Sequence, residues 1–109
     1  MTFSVTVIGA ARKELDKIPT GLKAALVDAM EELELAGPAL KEPRVRDVGN
    51  GLKELRVSAQ EGIARGFFFF HAGQQIFVVH VLQKKTQKTP QTSLKLANER
   101  MKTVKRMLK

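Results

Sequence analysis

No cysteine occurs among the 109 residues, so disulfides, thiolate zinc sites and thiol nucleophiles are excluded. Histidine is nearly absent: with only His71 and His80, no metal site built from protein ligands is expected, and the sequence predicts no cofactor. Tyrosine is missing altogether. No apolar run approaches the ~20 residues of a membrane span, and the start, MTFSVTVIGAARKEL, has no basic stretch ahead of a long apolar one. Neither secretion nor membrane insertion is expected, and the cysteine count fits a reducing cytoplasm. Also lacking are a Gly-rich phosphate loop opening a helix, a serine elbow, an HExxH pair and paired inward carboxylates. Most hydrolase, kinase and dehydrogenase mechanisms drop out with them.

What is present is a balanced globular composition with an unbalanced end. At 43% hydrophobic and 28% charged residues, the chain reads as one soluble domain over 1–109 that folds without covalent staples. Residues 1–83 carry ten basic and ten acidic groups, whereas residues 84–109 carry nine basic groups against Glu99 alone. The whole excess of +8 therefore sits in the last quarter. Such asymmetry favours a polyanionic partner, because each neutralised phosphate releases condensed counterions; the bland alternative is a solubilising tail.

Phe3, Val5 and Val7 alternate with Thr2, Ser4 and Thr6, which predicts a strand over 3–8. Ala11, Leu15 and Ile18 recur at helical spacing until Pro19 stops the helix, and Thr20 is the expected N-cap of a second one. Its apolar stripe runs Leu22, Ala25, Leu26, Ala29, Leu33, Ala36, and Gly37-Pro38 ends it. Four alternating stretches follow, 44–48, 52–58, 63–71 and 75–83, separated by Gly-containing turns. The run of four phenylalanines, 67–70, predicts a central strand covered on both faces. A last helix opens near Thr89-Pro90 or Ser93, with Leu94, Ala97, Met101, Val104 and Leu108 along one side and lysines and arginines along the others. The order is β-α-α-β-β-β-β-α, and the class is α+β.

The residues left to carry chemistry are cationic. Arg65 interrupts an otherwise apolar strand; it either pairs with Glu54 or Glu61 across strands or lines a site as a phosphate clamp. His80, among Val78, Val79, Val81 and Leu82, reads first as a satisfied histidine at the edge of the core and second as an acid or base. His71, beside a turn, is expected in solvent. Lys84, Lys85 and Lys88 form either a solvated loop or a phosphate-facing patch, and the latter is favoured by the basic helix that follows. An antiparallel meander is expected to bring the start of the 63–71 stretch and the end of the 75–83 stretch beside the 52–58 stretch, placing Arg65 opposite the lysines.

LKELR at 52–56, then Arg65 and the aromatic-rich strand, then HVLQKKTQKTP and LANERMK, together resemble the phage-derived, HigB-like branch of the RelE/ParE toxin superfamily. The resemblance implies two N-terminal helices packed on a mostly antiparallel sheet of four or five strands, with a basic C-terminal helix near a concave basic face. It implies the toxin of a type II toxin–antitoxin pair, neutralised by a co-encoded antitoxin, typically of the helix-turn-helix kind. It implies a metal-independent, ribosome-dependent mRNA endonuclease; ParE-like members instead inhibit DNA gyrase, and a non-catalytic nucleic-acid-binding module is a third reading. Carried over by position, Arg65 matches the strand arginine of the RelE-type site and Lys84 and Lys85 fall in the basic segment after the last strand; these, with His80 as a candidate base, are the expected catalytic residues. Lys53, Arg56, Lys88, Lys95, Arg100 and Lys102 are expected to hold RNA. The C-terminal tyrosine of some RelE-type sites has no counterpart, so the base would be a lysine of lowered pKa, His80, or a ribosomal group.

Overall fold

The computed structural model describes residues 2–83 and 89–108. Strand β1 (Ser4–Val7) leads almost directly into helix α1 (Gly9–Lys17), which ends before Pro19 because proline supplies no amide hydrogen to continue it. Helix α2 (Thr20–Ala36) follows at once, with Pro19 rather than Thr20 at its N-cap and no side-chain cap there. The free amide of Gly21 donates instead to the Glu61 carboxylate at 3.1 Å, so a turn forty residues away caps this helix. A short 3-10 turn (Gly37–Ala39) leads to β2 (Val45–Gly49), β3 (Leu52–Ala59), β4 (Gly62–His71), β5 (Gln75–Gln83) and finally α3 (Gln91–Met107).

The five strands form one sheet in the order β1-β5-β4-β3-β2. Only β1 and β5 run parallel; the other neighbours are antiparallel. The fold is α+β with a mostly antiparallel sheet, as the pattern of elements implies. One sequence expectation is corrected: β5 does not lie beside β3, because β4 runs between them and Arg65 sits directly opposite Leu82 of β5 and Arg56 of β3. A chain made of consecutive hairpins places each strand beside its predecessor, and only β1 departs from that rule.

Each face of the sheet carries its own core. Helices α1 and α2 cover one face, where Leu22, Leu26, Leu33, Leu55, Phe68 and Ile76 are buried. Helix α3 covers the other, where Leu52, Phe67, Phe69, Val79, Ala97 and Met101 meet. The phenylalanine run divides between them by strand alternation, which accounts for four consecutive aromatics in the middle strand. At the edge, β1 hides its donors: Phe3 N–H bonds the Glu34 carbonyl at 2.7 Å and Val5 N–H the Glu34 carboxylate at 2.9 Å.

Candidate functional site

Strand alternation puts Leu52, Glu54 and Arg56 of β3 on the α3 face, together with Arg65 and Phe67 of β4. Arg65 is 0% and Glu54 2% exposed, and Arg65 Nε stands 3.4 Å from Glu54 Oε1. Of the two alternatives open for Arg65, the ion pair with Glu54 is formed. The Thr89 hydroxyl donates to the other oxygen of Glu54, so the chain re-enters the described structure directly over this pair. Charges so far from water are costly to bury, and they persist only when matched and hydrogen-bonded.

A register shift between Phe67 and Phe68 makes the second feature. Phe67 faces His80 while Phe68 faces Val78, leaving Val79 as an extra residue. The bulge turns His80 onto the α3 face, where its ring stacks on Phe67 with centroids 5.6 Å apart. Because β1 stops at Val7, the far half of β5 has no strand on its outer side, and side chains satisfy it. Val81 N–H donates to Glu14 Oε1 of α1 at 3.1 Å, and Arg100 of α3 donates to the Val79 carbonyl at 3.0 Å. Glu14 Oε1 also accepts from His80 Nδ1 at 2.9 Å and from Arg100 Nη1 at 2.8 Å. Burial alone would raise the Glu14 carboxyl, but the bonds from Arg100, His80 and Val81 overcome it and hold Glu14 below its ordinary value. Glu14 is then an ionised acceptor, so Nδ1 of His80 is the donor in their bond and Nε2 is the ring nitrogen that bond leaves unused.

The remaining expected residues scatter. Lys53 lies on the opposite face of β3, 4.0 Å from Asp47, so it does not share a surface with Arg65. Arg56 shares Arg65's face and stands opposite it in the register. Lys95 and Lys102 are exposed on α3, while Arg100 is committed to Glu14 and Val79. His71 is half-buried against Phe77 rather than fully in solvent, with ring centroids 6.1 Å apart. Lys84, Lys85 and Lys88 lie outside the described residues. Among the described residues no group of acidic or histidine side chains could hold a metal ion, and no helix is long and apolar enough to cross a membrane.

Residues 13–102 match the model of the family described as phage derived protein Gp49-like (DUF891). The chain belongs to that family. The Gp49-like chain is also similar in fold to E. coli toxin RelE, a doubly substituted form in the free state, with a TM-score of 0.67 at 14% identity over 93% of this chain and 99% of that one. The toxin–antitoxin complex RelBE2 from Mycobacterium tuberculosis matches with a TM-score of 0.60 at 20% identity, over 77% of this chain and 100% of the other. An archaeal RelE–RelB complex from Pyrococcus horikoshii OT3 matches with a TM-score of 0.57 at 17% identity, over 81% and 100%. No curated protein shows significant similarity to the chain.

Within this Gp49-like fold, the residue that sequence reasoning missed is Glu14. Its signal was present: with Ala11, Leu15 and Ile18 marking the buried stripe of α1, position 14 falls on the same side, and a carboxylate there needs a partner.

Proposed function

We propose that the chain is the toxin of a toxin–antitoxin pair and that it cleaves messenger RNA on the ribosome. The observation carrying this reading is the placement of Glu54, Arg65 and His80 on one face of a sheet otherwise built from Phe, Leu and Val, with Thr89 bonded to Glu54 just after the KKTQK segment. Burying three ionisable groups weakens a core that apolar residues would fill more cheaply, and such departures concentrate at functional sites. The RelE-like fold and the antitoxin complexes of its structural relatives support the same reading.

The chemistry follows from the residue types. Attack of a 2′-hydroxyl on the adjacent phosphorus builds charge on the phosphoryl oxygens and on the leaving 5′-oxygen. His80, oriented by Glu14, takes the hydroxyl proton at Nε2; Lys84 or Lys85 stabilises the developing charge, with Arg65, buried against Glu54, as a positioning residue that holds the face in shape; Arg56, Lys88, Lys95 and Lys102 hold flanking phosphates. The test is induction of the chain alone, and then with its neighbouring reading frame, while RNA ends and growth are followed. Growth arrest with new ends that vanish when translation is blocked is expected. Arrest with intact messages and relaxed plasmid DNA would replace this reading by gyrase inhibition.

A further inference from the structure

Among the described residues, four large apolar side chains stand in water: Met107 and Leu108 at the end of α3, and Val27 and Leu35 on α2, the last of them 73% exposed. Helix α2 already buries its other side against the sheet through Leu22, Leu26 and Leu33. Val27 and Leu35 belong instead to one ridge of its outer surface. Every fourth position along that ridge reads Pro19, Lys23, Val27, Glu31, Leu35, which is apolar, basic, apolar, acidic, apolar. Beside it a groove of about 280 Å3 runs between α2, α1 and the edge strand β1, floored by Val5, Val7, Leu15 and Met30. Lys23 and Arg12 mark one end of the groove, where Lys23 bonds Asp16 one helical turn from Arg12; Glu31 and Glu34 mark the other.

A ridge of this order is its own complement. Turned end for end about Val27, it sets Lys23 of one copy against Glu31 of a second, and the two ion pairs so formed are equivalent by symmetry. Leu35 then meets Pro19, the small exposed Ala24 lets the helix axes come close, and Val27 packs on Val27 over the two groove floors. The helix dipoles agree with this arrangement, since the positive N-terminal end of each α2 lies beside the acidic half of the other. The internal pair of Lys23 with Asp16, 2.8 Å long and half exposed, uses one of three ammonium hydrogens and leaves two for a second carboxylate. Other occupants fit less well. Nucleic acid meets Asp28, Glu31, Glu32 and Glu34 against Lys23 alone on this helix. A uniformly acidic or uniformly basic segment of another protein matches one end of the groove and opposes the other. We propose that α2 is the two-fold interface of a homodimer, with a second copy of this chain as the occupant of this face.

Charge elsewhere in the chain favours the same face. Helices α1 and α2 cover one side of the sheet and α3 the other, so a dimer through α2 holds the two basic α3 helices on its outer sides. Two sheets and two helical layers lie between them, a separation well beyond the ~10 Å Debye length at 0.1 M salt, so their like charges do not oppose assembly. The face carrying Glu54, Arg65 and His80 stays open on both copies, and the dimer does not depend on the reaction assigned to it. An interface made mainly by two helices lies below the ~1,600 Å2 of a standard complex, so dissociation in the micromolar range is expected.

The experiment is sedimentation equilibrium of the purified chain across the micromolar range, with circular dichroism on each variant. The parent should show a reversible monomer–dimer equilibrium, and Val27→Glu, at an exposed position outside the core, should weaken it about tenfold or more while the fold persists. Lys23→Glu and Glu31→Lys should each sediment as monomers, because each sets like charges against one another at both contacts. Mixed in equal amounts, those two variants should dimerise, because the mixed pair has opposite charges at both contacts, a rescue that misfolded chains could not show. A parent that stays monomeric, a dimer that Val27→Glu leaves intact, single charge variants that dimerise like the parent, or charge variants that stay apart on mixing would each overturn the proposal.

Discussion

At Arg65 the charge is real but its setting differs from an open clamp. The guanidinium and the Glu54 carboxylate lie inside the protein, 3.4 Å apart, and each is the other's compensation. Removing one therefore strands the other, at a cost of about 3–5 kcal/mol. Arg65→Ala should lower the melting temperature by roughly 10 °C or more, so a loss of activity in that variant alone is ambiguous. Replacing both together, as Glu54→Leu with Arg65→Met, should recover most of that stability, because apolar residues of similar volume fill the space without desolvating a charge. Thermal unfolding of the two variants beside the parent checks this; a double variant no more stable than Arg65→Ala would show that the pair itself holds the sheet. The ambiguity of Arg65 was legible in the sequence, since an isolated arginine in an apolar strand needs an acidic partner or a ligand. Glu14 was harder to read, because its partner Arg100 is 86 positions away and no local pattern reports such a distance.

The elements themselves followed from short-range chemistry. Alternation marks the strands, three- and four-residue spacing marks the helices, and Pro19 and Gly37 punctuate α2 at its two ends. Strand order and the bulge at Val79 were not legible, since both depend on pairing between strands rather than on either strand alone. That bulge is what turns His80 to the α3 face, so the most consequential irregularity in the sheet has no local signature. Gly37 shows the opposite case, a local residue set by distant packing. Its φ of 55° lies in the left-handed region, and a Cβ there would stand 2.2 Å from the Phe3 ring. Gly37→Ala should cost about 2–4 kcal/mol, from backbone strain and from forcing Phe3 out of its place against Phe70. Urea unfolding is the check: the midpoint should fall with the slope unchanged, and a shift under about 0.5 kcal/mol would mean that Phe3 moves aside freely.

Across the whole molecule, charge and core are assigned to different parts of the chain. A charge-balanced body, residues 1–83, builds the sheet and the helices on one of its faces, while residues 84–109 hold nine basic groups against Glu99 alone and, through Ala97 and Met101 of α3, also supply part of the second core. This division was visible from composition, and it points to an anionic partner before any fold is known. It does not distinguish attraction from chemistry, which depends on the buried polar residues Glu54, Arg65 and His80. Single-turnover cleavage of ribosome-bound messenger RNA by the parent and by the Glu54→Leu/Arg65→Met variant tests that link most directly. The expected result is cleavage by the parent only when ribosomes are present, and a rate about a hundred- to a thousandfold lower in a variant that folds and still binds ribosomes. A message left intact by the parent, or cut at the parental rate by the folded variant, would contradict the assignment of this face as the site of reaction.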